Sequence, residues 1–143
     1  LENIVDAIIE MDSNVLFPVH PRTKKNLIKF DLLEKLQNAS NVYLTPPINY
    51  LDSIFSIKNA RMVLTDSGGI QKESYILGTP CLTLRKETEW LETVDDGWNI
   101  LTGPNKEKIL SACNFKPTNK RNNYYGTGNS SQQIVDIISN YNF

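Results

Sequence analysis

Hydrophobic positions along the chain alternate between two rhythms, a short continuous run and a stripe at helical spacing. The first twelve residues, LENIVDAIIEMD, place Ile4, Val5, Ile8 and Ile9 on one helix face. NVLFPV (14–19) is a short apolar run suited to a buried strand, and HPRTKKN (20–26) reads as a polar loop. LIKFDLLEKL (27–36) returns to helical spacing through Leu27, Phe30, Leu32 or Leu33, and Leu36. NVYLTPP (41–47) predicts a second strand, stopped by Pro46 and Pro47 because proline donates nothing to a central ladder. In the helix predicted over YLDSIFSIKNA (50–60), Leu51, Ile54, Phe55 and Ile57 are expected to face inward.

RMVLTD (61–66) supplies a third strand and GIQKESYIL (69–77) a helix, which Gly78 and Pro80 end. PCLTL (80–84) and WNILT (98–102) are the fourth and fifth strands, separated by RKETEWLETVDDG. Helices follow at NKEKILSACNF (105–115) and SSQQIVDIISNY (130–141), the last with Ile134, Val135, Ile137 and Ile138 on a stripe. Between them KPTNKRNNYYGTGN (116–129) reads as an extended surface crossing. Five strands, apolar on both faces and alternating with helices, predict a parallel sheet covered on both sides. The expected fold class is a doubly wound, Rossmann-like α/β domain.

A length of 143 residues fits one domain, 1–143, with a core that needs no disulfide or metal. A formal charge of -1 gives no support to nucleic acid or an acidic membrane as partner. One histidine and two cysteines, Cys81 and Cys113, cannot build a structural zinc site. Both cysteines read as small buried hydrophobes in a reducing compartment, which makes the cytoplasm the expected setting. No run approaches the ~18 apolar residues of a spanning helix, and no signal-peptide pattern opens the chain. The chain begins without Met and already inside a helical stripe, so it reads as part of a longer protein.

In a doubly wound sheet, ligands bind beyond the carboxyl ends of the strands. Those ends deliver His20 and Arg22, then Ile48 and Asn49, then Asp66-Ser67-Gly68-Gly69, then Arg85, then Gly103. Ser67 caps the helix without a reciprocal partner, because Ile70 stands where a capping box needs Glu or Gln. The first N–H groups are therefore left at the positive end of the helix dipole, and residues 68 and 69 carry no Cβ to keep a phosphate away. A tight turn with Ser67 merely capping is the alternative. Glu73, four residues beyond Gly69, is placed to accept from a ribose diol, or else is a solvated helix glutamate. His20 with Arg22 suits a diphosphate, while Arg85 points either at Glu87 or Glu89 or at the ligand. Trp90 and Trp98 read as packing residues. Neither a P-loop nor a dinucleotide fingerprint is present.

HPRT (20–23), PPINYLD (46–52), LTDSGGIQKESYILGTPCLTLRKETEW (64–90), GWNILTG (97–103) and YGTGNSSQQIVDII (125–138) together resemble the C-terminal half of UDP-N-acetylglucosamine 2-epimerases. The resemblance implies a two-domain, glycosyltransferase-B-like enzyme whose active site lies between the halves, this chain being the UDP-binding half. It implies elimination of UDP from UDP-N-acetylglucosamine and its re-addition with C2 inverted, giving UDP-N-acetylmannosamine, with no cofactor. By the same resemblance Ser67, Gly68 and Gly69 contact the diphosphate, Glu73 holds the ribose, and His20 assists catalysis at the phosphates. Arg22 and Arg85 join the substrate-binding set, and Ile48 and Tyr50 lie near uracil.

The implied partners are UDP, a UDP-N-acetylhexosamine and the missing N-terminal half, with a homodimer for the full-length enzyme. The chain departs from the family's pattern in two places. Trp90-Leu91 stands where many relatives carry Arg-Pro, and Thr127 where an acidic residue is usual. The first departure leaves open an epimerase of a UDP-diacetamido sugar. A hydrolysing relative and a non-catalytic UDP-sugar-binding module are further alternatives. The carboxylates that move the C2 proton would belong to the absent half, so this chain is expected to bind without turning substrate over.

Overall fold

The computed structural model describes residues 1–141; Asn142 and Phe143, the end of the expected domain, lie outside the described residues. The element order is α1 (Glu2–Glu10), β1 (Val15–Pro18), α2 (Pro21–Lys29), α3 (Leu33–Gln37), β2 (Val42–Thr45), α4 (Tyr50–Asn59), β3 (Val63–Thr65), α5 (Gly68–Leu77), β4 (Cys81–Thr83), α6 (Leu91–Asp95), β5 (Asn99–Leu101), α7 (Lys106–Ala112) and α8 (Ser130–Asn140). Every strand pair is parallel, as the alternation predicts. The strands form two ladders, β1–β2 and β3–β4–β5, where the pattern suggested one.

Helix α1 ties the ladders together from one side. Its Val5 and Ile8 pack with Leu27 and Leu36 over β1–β2, its Ala7 packs with Leu82 and Ile109 over the second ladder, and Ile4 touches both clusters. Arg61 Nη2 donates to Ser13 Oγ at 2.8 Å, linking the segment before β3 to the turn before β1.

The other side departs from the expectation of apolar faces. Over β4–β5 it is a buried polar layer: Thr83 Oγ1 donates to Asn99 Oδ1 (2.8 Å), and Asn99 Nδ2 donates to Thr93 Oγ1 (3.1 Å) and Gln71 Oε1 (3.3 Å). Over β1–β2 it is open, with the register neighbours Leu16 and Tyr43 about half exposed. Helix α4 turns Leu51 and Phe55 outward at 75% and 70% exposure, contrary to the inward orientation expected of them. Ile57, six residues after Leu51, lies off the Leu51–Phe55 stripe, and the face that carries half-buried Ile54 and buried Ile57 is the one turned to the domain. Thr79 Oγ1 donates to the Ile57 carbonyl at 2.8 Å on that side. A cavity of about 570 Å³, lined among others by Leu16, Phe17, Ile57, Met62 and Leu64, remains between the ladders.

Three further expectations are corrected. The segment HPRTKKN is helical, because His20 caps it and Pro21 occupies the first helical position, where its missing N–H costs nothing. The helix expected over 27–36 is split into α2 and α3 by Asp31, whose φ of 55° breaks the turn and leaves Phe30 exposed. The short helix α6 was not expected. Among the described residues no helix is long and apolar enough to cross a membrane.

Candidate functional site

Parallel strands put every strand-to-helix turn on one edge of the ladders, and that edge carries the predicted residues. On β1–β2, Val19 N–H bonds to the Thr45 carbonyl at 2.9 Å, so His20 and the Pro46–Tyr50 turn leave the ladder side by side. His20 Nδ1 accepts the Arg22 N–H at 3.2 Å, which leaves the proton of the neutral ring on Nε2, facing away from the cap. Asn49 caps α4 by accepting from Asp52 N–H at 2.9 Å, which sets Tyr50 at the first helical position, exposed. Arg22 is exposed as well, and Ile48 is half-buried.

On the second ladder, Leu84 N–H bonds to the Thr65 carbonyl at 2.9 Å and Gly103 N–H to the Arg85 carbonyl at 3.2 Å. The Ser67 turn, Arg85 and Gly103 thus stand next to one another across the edge. Ile48 from the first group and Ile70 from the second line the same inter-ladder cavity, so the two groups border one cleft.

The start of α5 is the centre of this edge. Ser67 is the N-cap and makes no side-chain capping bond; its own N–H is held by Thr65 Oγ1 at 3.0 Å. The first N–H to reach back inside the helix is that of Gln71, to the Ser67 carbonyl at 3.1 Å. The two glycines then separate by environment. A Cβ on Gly68 would stand 3.2 Å from Trp90 Nε1 and 3.5 Å from Glu89 Oε2, so a side chain there fits only if the Trp90 indole gives by a few tenths of an ångström. A Cβ on Gly69 would meet nothing nearer than Ser67 Oγ at 3.8 Å. Nothing within the domain demands glycine at 69, although glycine in a helix costs roughly 0.5–1 kcal/mol against alanine.

Arg85 and Glu89 form a two-pronged pair at 2.7 and 3.3 Å. Of the two fates open to Arg85, the local acid holds it here, and that acid is Glu89. The guanidinium holds the Glu89 carboxyl below the usual carboxylate range, and Glu89 in turn raises Arg85. Glu73 is half-buried on α5, one turn beyond Gly69, and its carboxylate has no hydrogen bond or ion pair to the described residues.

Sequence reasoning missed what holds the 85–90 loop down. Thr88 Oγ1 donates to Gln71 Oε1 at 2.6 Å and accepts from Trp90 N–H at 3.0 Å. Gln71 is fully buried and continues through Asn99 into the polar layer. The only cue was a pair of polar residues, Gln71 and Ser74, at i, i+3 in a helix next to buried strands. Trp90 does pack, as expected, but against the turn that opens α5, and its Nε1 is buried without a partner. Lys72 lies over both the Trp90 and Tyr125 rings, 4.7 and 4.8 Å from their centres.

The 116–129 segment is more than the surface crossing expected of it. It runs as a strap along α5 and α6: Arg121 donates to the Tyr75 and Ile76 carbonyls, Asn122 donates twice to Asp96, and Tyr125 donates to Glu92 at 2.9 Å. Tyr75 donates to Asp96 as well. Burial first, and the Asp96 carboxylate second, push the Tyr75 phenol up to about 12; donation from Tyr75 and Asn122 pulls Asp96 down. Among the described residues no cluster of His, Cys, Asp and Glu could hold a metal ion.

The family model for UDP-N-acetylglucosamine 2-epimerase matches residues 1–139. A UDP-N-acetylglucosamine 2-epimerase homolog of Methanococcus maripaludis is 54% identical over 98% of this chain and 40% of its own length. The UDP-N-acetylglucosamine 2-epimerase of Methanocaldococcus jannaschii is 45% identical over 97% of this chain and 40% of its own. The crystal structure of the Methanocaldococcus jannaschii UDP-GlcNAc 2-epimerase in complex with UDP-GlcNAc and UDP superimposes with a TM-score of 0.84 at 44% identity, over 96% of this chain and 39% of that one. The chain therefore spans about 40% of the length of these relatives. On the match over residues 1–139 and on these identities, the chain belongs to the UDP-N-acetylglucosamine 2-epimerase family.

Proposed function

We propose that this chain is the UDP-binding half of a cytoplasmic UDP-N-acetylglucosamine 2-epimerase. The observation that carries the reading is Gly69: an open glycine in the bare first turn of α5, with no neighbour in the domain that excludes a side chain. A phosphate seated on the N–H groups of residues 68 to 70 supplies the missing reason for it. The same-edge placement of the other groups supports the remaining contacts. His20 offers a proton on Nε2 and Arg22 a free guanidinium toward the diphosphate; Glu73 offers an unpaired carboxylate to the ribose diol; Ile48 and Tyr50 offer an apolar wall to uracil. The solved relative bound to UDP-GlcNAc and UDP supports the ligand class.

In the whole enzyme these residues would hold the leaving UDP while the sugar's C1–O bond breaks. Ser67 to Gly69 and the arginines would stabilise the charge that collects on the β-phosphate, and His20 could pass its Nε2 proton to it. Abstraction and return of the C2 proton fall to residues outside this chain, consistent with the length of the relatives. The exposed stripe of Ile134, Val135, Ile137 and Ile138 on α8 supports a covering partner, for which the remaining part of such a longer chain is the candidate.

Calorimetric titration of the chain with UDP, with uridine as control, tests the reading. UDP should bind at least about tenfold tighter than uridine, a step of ~1.4 kcal/mol assignable to the diphosphate, and Glu73→Ala should weaken both. A folded chain that binds neither, or binds both equally, would refute the placement of phosphate on α5.

A further inference from the structure

We infer that the carboxylate of Glu89 is a resident anion beside the phosphate seat, and that a bound nucleoside diphosphate displaces it and takes over its partner Arg85. The inference rests on the UDP reading above and adds a competing group within the domain.

Three observations place Glu89 there. Its Oε2 stands 3.5 Å from the Cβ position of Gly68, the first residue of α5, so a negative charge already lies against the positive end of the helix. Arg85, which leaves the neighbouring strand on the same edge, spends both of its terminal nitrogens on Glu89. The loop between them is anchored from below, by Thr88 on Gln71 and by Trp90 N–H on Thr88, so Glu89 stays near the helix tip.

Two like charges cannot share this tip comfortably. A diphosphate brought to the start of α5 meets the Glu89 carboxylate at close range, and like charges held near one another are unfavourable. The Glu89 side chain is 60% exposed, so it can swing into water without breaking the loop's anchors. Arg85 is then free to form a charge-assisted fork with phosphate oxygens in place of the carboxylate. The pair acts as a latch: it stabilises the empty site, lowers its affinity for diphosphate and opens only for a ligand that can replace both of Glu89's contacts. A nucleoside without phosphate does not open it.

The test is calorimetry on the 143-residue chain and its Glu89→Gln variant, with UDP and uridine, and Glu10→Gln as a charge-matched control at the distant Lys106 pair. Glu89→Gln should bind UDP roughly three- to tenfold tighter, the size expected for releasing one charged contact and one arginine. Uridine affinity should stay unchanged in Glu89→Gln, and Glu10→Gln should match the wild type. If the wild type binds UDP and Glu89→Gln binds it equally or less tightly, the latch is wrong and the UDP reading stands. If neither binds UDP while both are folded by circular dichroism, the UDP reading fails and takes the latch with it. UDP binding by the variant alone would support both.

Discussion

Trp90 lays its indole Nε1 against Gly68, 3.2 Å from the point where a side chain would begin, while Gly69 beside it faces open space. Adjacent glycines thus sit in different surroundings, and on the proposed function the second answers to a ligand rather than to the fold. Gly69→Ala should hold or raise the melting temperature, since alanine in a helix gains up to about 1 kcal/mol over glycine, while UDP affinity falls. Gly68→Ala should lower stability by about 1 kcal/mol, because the new methyl crowds the Trp90 indole at 3.2 Å. Thermal melts and calorimetry on the two variants check this; a Gly69→Ala protein that binds UDP normally would remove the ligand-based reason for that glycine.

The Tyr75–Asp96 pair predicts pH dependence at both ends of the scale. Burial and Asp96 raise the Tyr75 phenol from 10.0 to about 12, so its contribution is complete below pH 10 and is lost as pH rises towards 12. Asp96 is shifted the other way by Tyr75 and Asn122: its contribution is present above the ordinary carboxylate range and is lost as pH falls through its lowered value. Urea midpoints measured across pH should therefore show Tyr75→Phe losing part of the alkaline fall between 10 and 12, the Tyr125 phenol being raised as well, and Asp96→Asn losing part of the acid fall. An unchanged alkaline slope in Tyr75→Phe would mean that the phenol titrates normally.

Arg121 closes the carboxyl end of the same helix that Ser67 opens. It donates to the Tyr75 and Ile76 carbonyls, stacks 5.2 Å from the Trp98 ring centre, and lies against Gly78, whose φ of 79° ends α5. Arg121→Ala should cost about 1–3 kcal/mol, the range of charged hydrogen bonds to carbonyls otherwise left bare. The loss should appear in thermal melts with circular dichroism, and Arg121→Lys should recover only part of it, because an ammonium cannot lie flat on the indole.

The alternation of short apolar runs with helical stripes was enough to give five parallel strands in order, although the second side of the strands is open over β1–β2 and polar over β4–β5. Turn chemistry was enough to find the α5 tip, since Ser-Gly-Gly with Ile70 in place of a capping acid leaves donors unused. Three features escaped because they depend on tertiary contact. The face of α4 that turns inward is set by its tertiary surroundings, among them Thr79, which bonds the Ile57 carbonyl from 22 residues away. The polar layer of Thr83, Asn99 and Gln71 breaks the rule that buried positions read as apolar, because its hydrogen bonds join residues of three different elements. The lid of Glu89 and Trp90 over Gly68 depends on the anchoring of Thr88 on Gln71, which no local spacing encodes.

The exposed stripe on α8 gives the last prediction. Ile134, Val135, Ile137 and Ile138 are 53–66% exposed, so replacing Ile134 and Ile138 by Glu removes no buried contact within the domain. The double variant should therefore melt within about 0.5 kcal/mol of the wild type, as surface substitutions do. It should also aggregate less, because a contiguous apolar patch associates with whatever can cover it. Light scattering against concentration separates the two effects. If the variant instead loses several degrees in melting temperature, α8 packs on the domain in solution, and the stripe is spoken for by this chain's own core rather than by a partner.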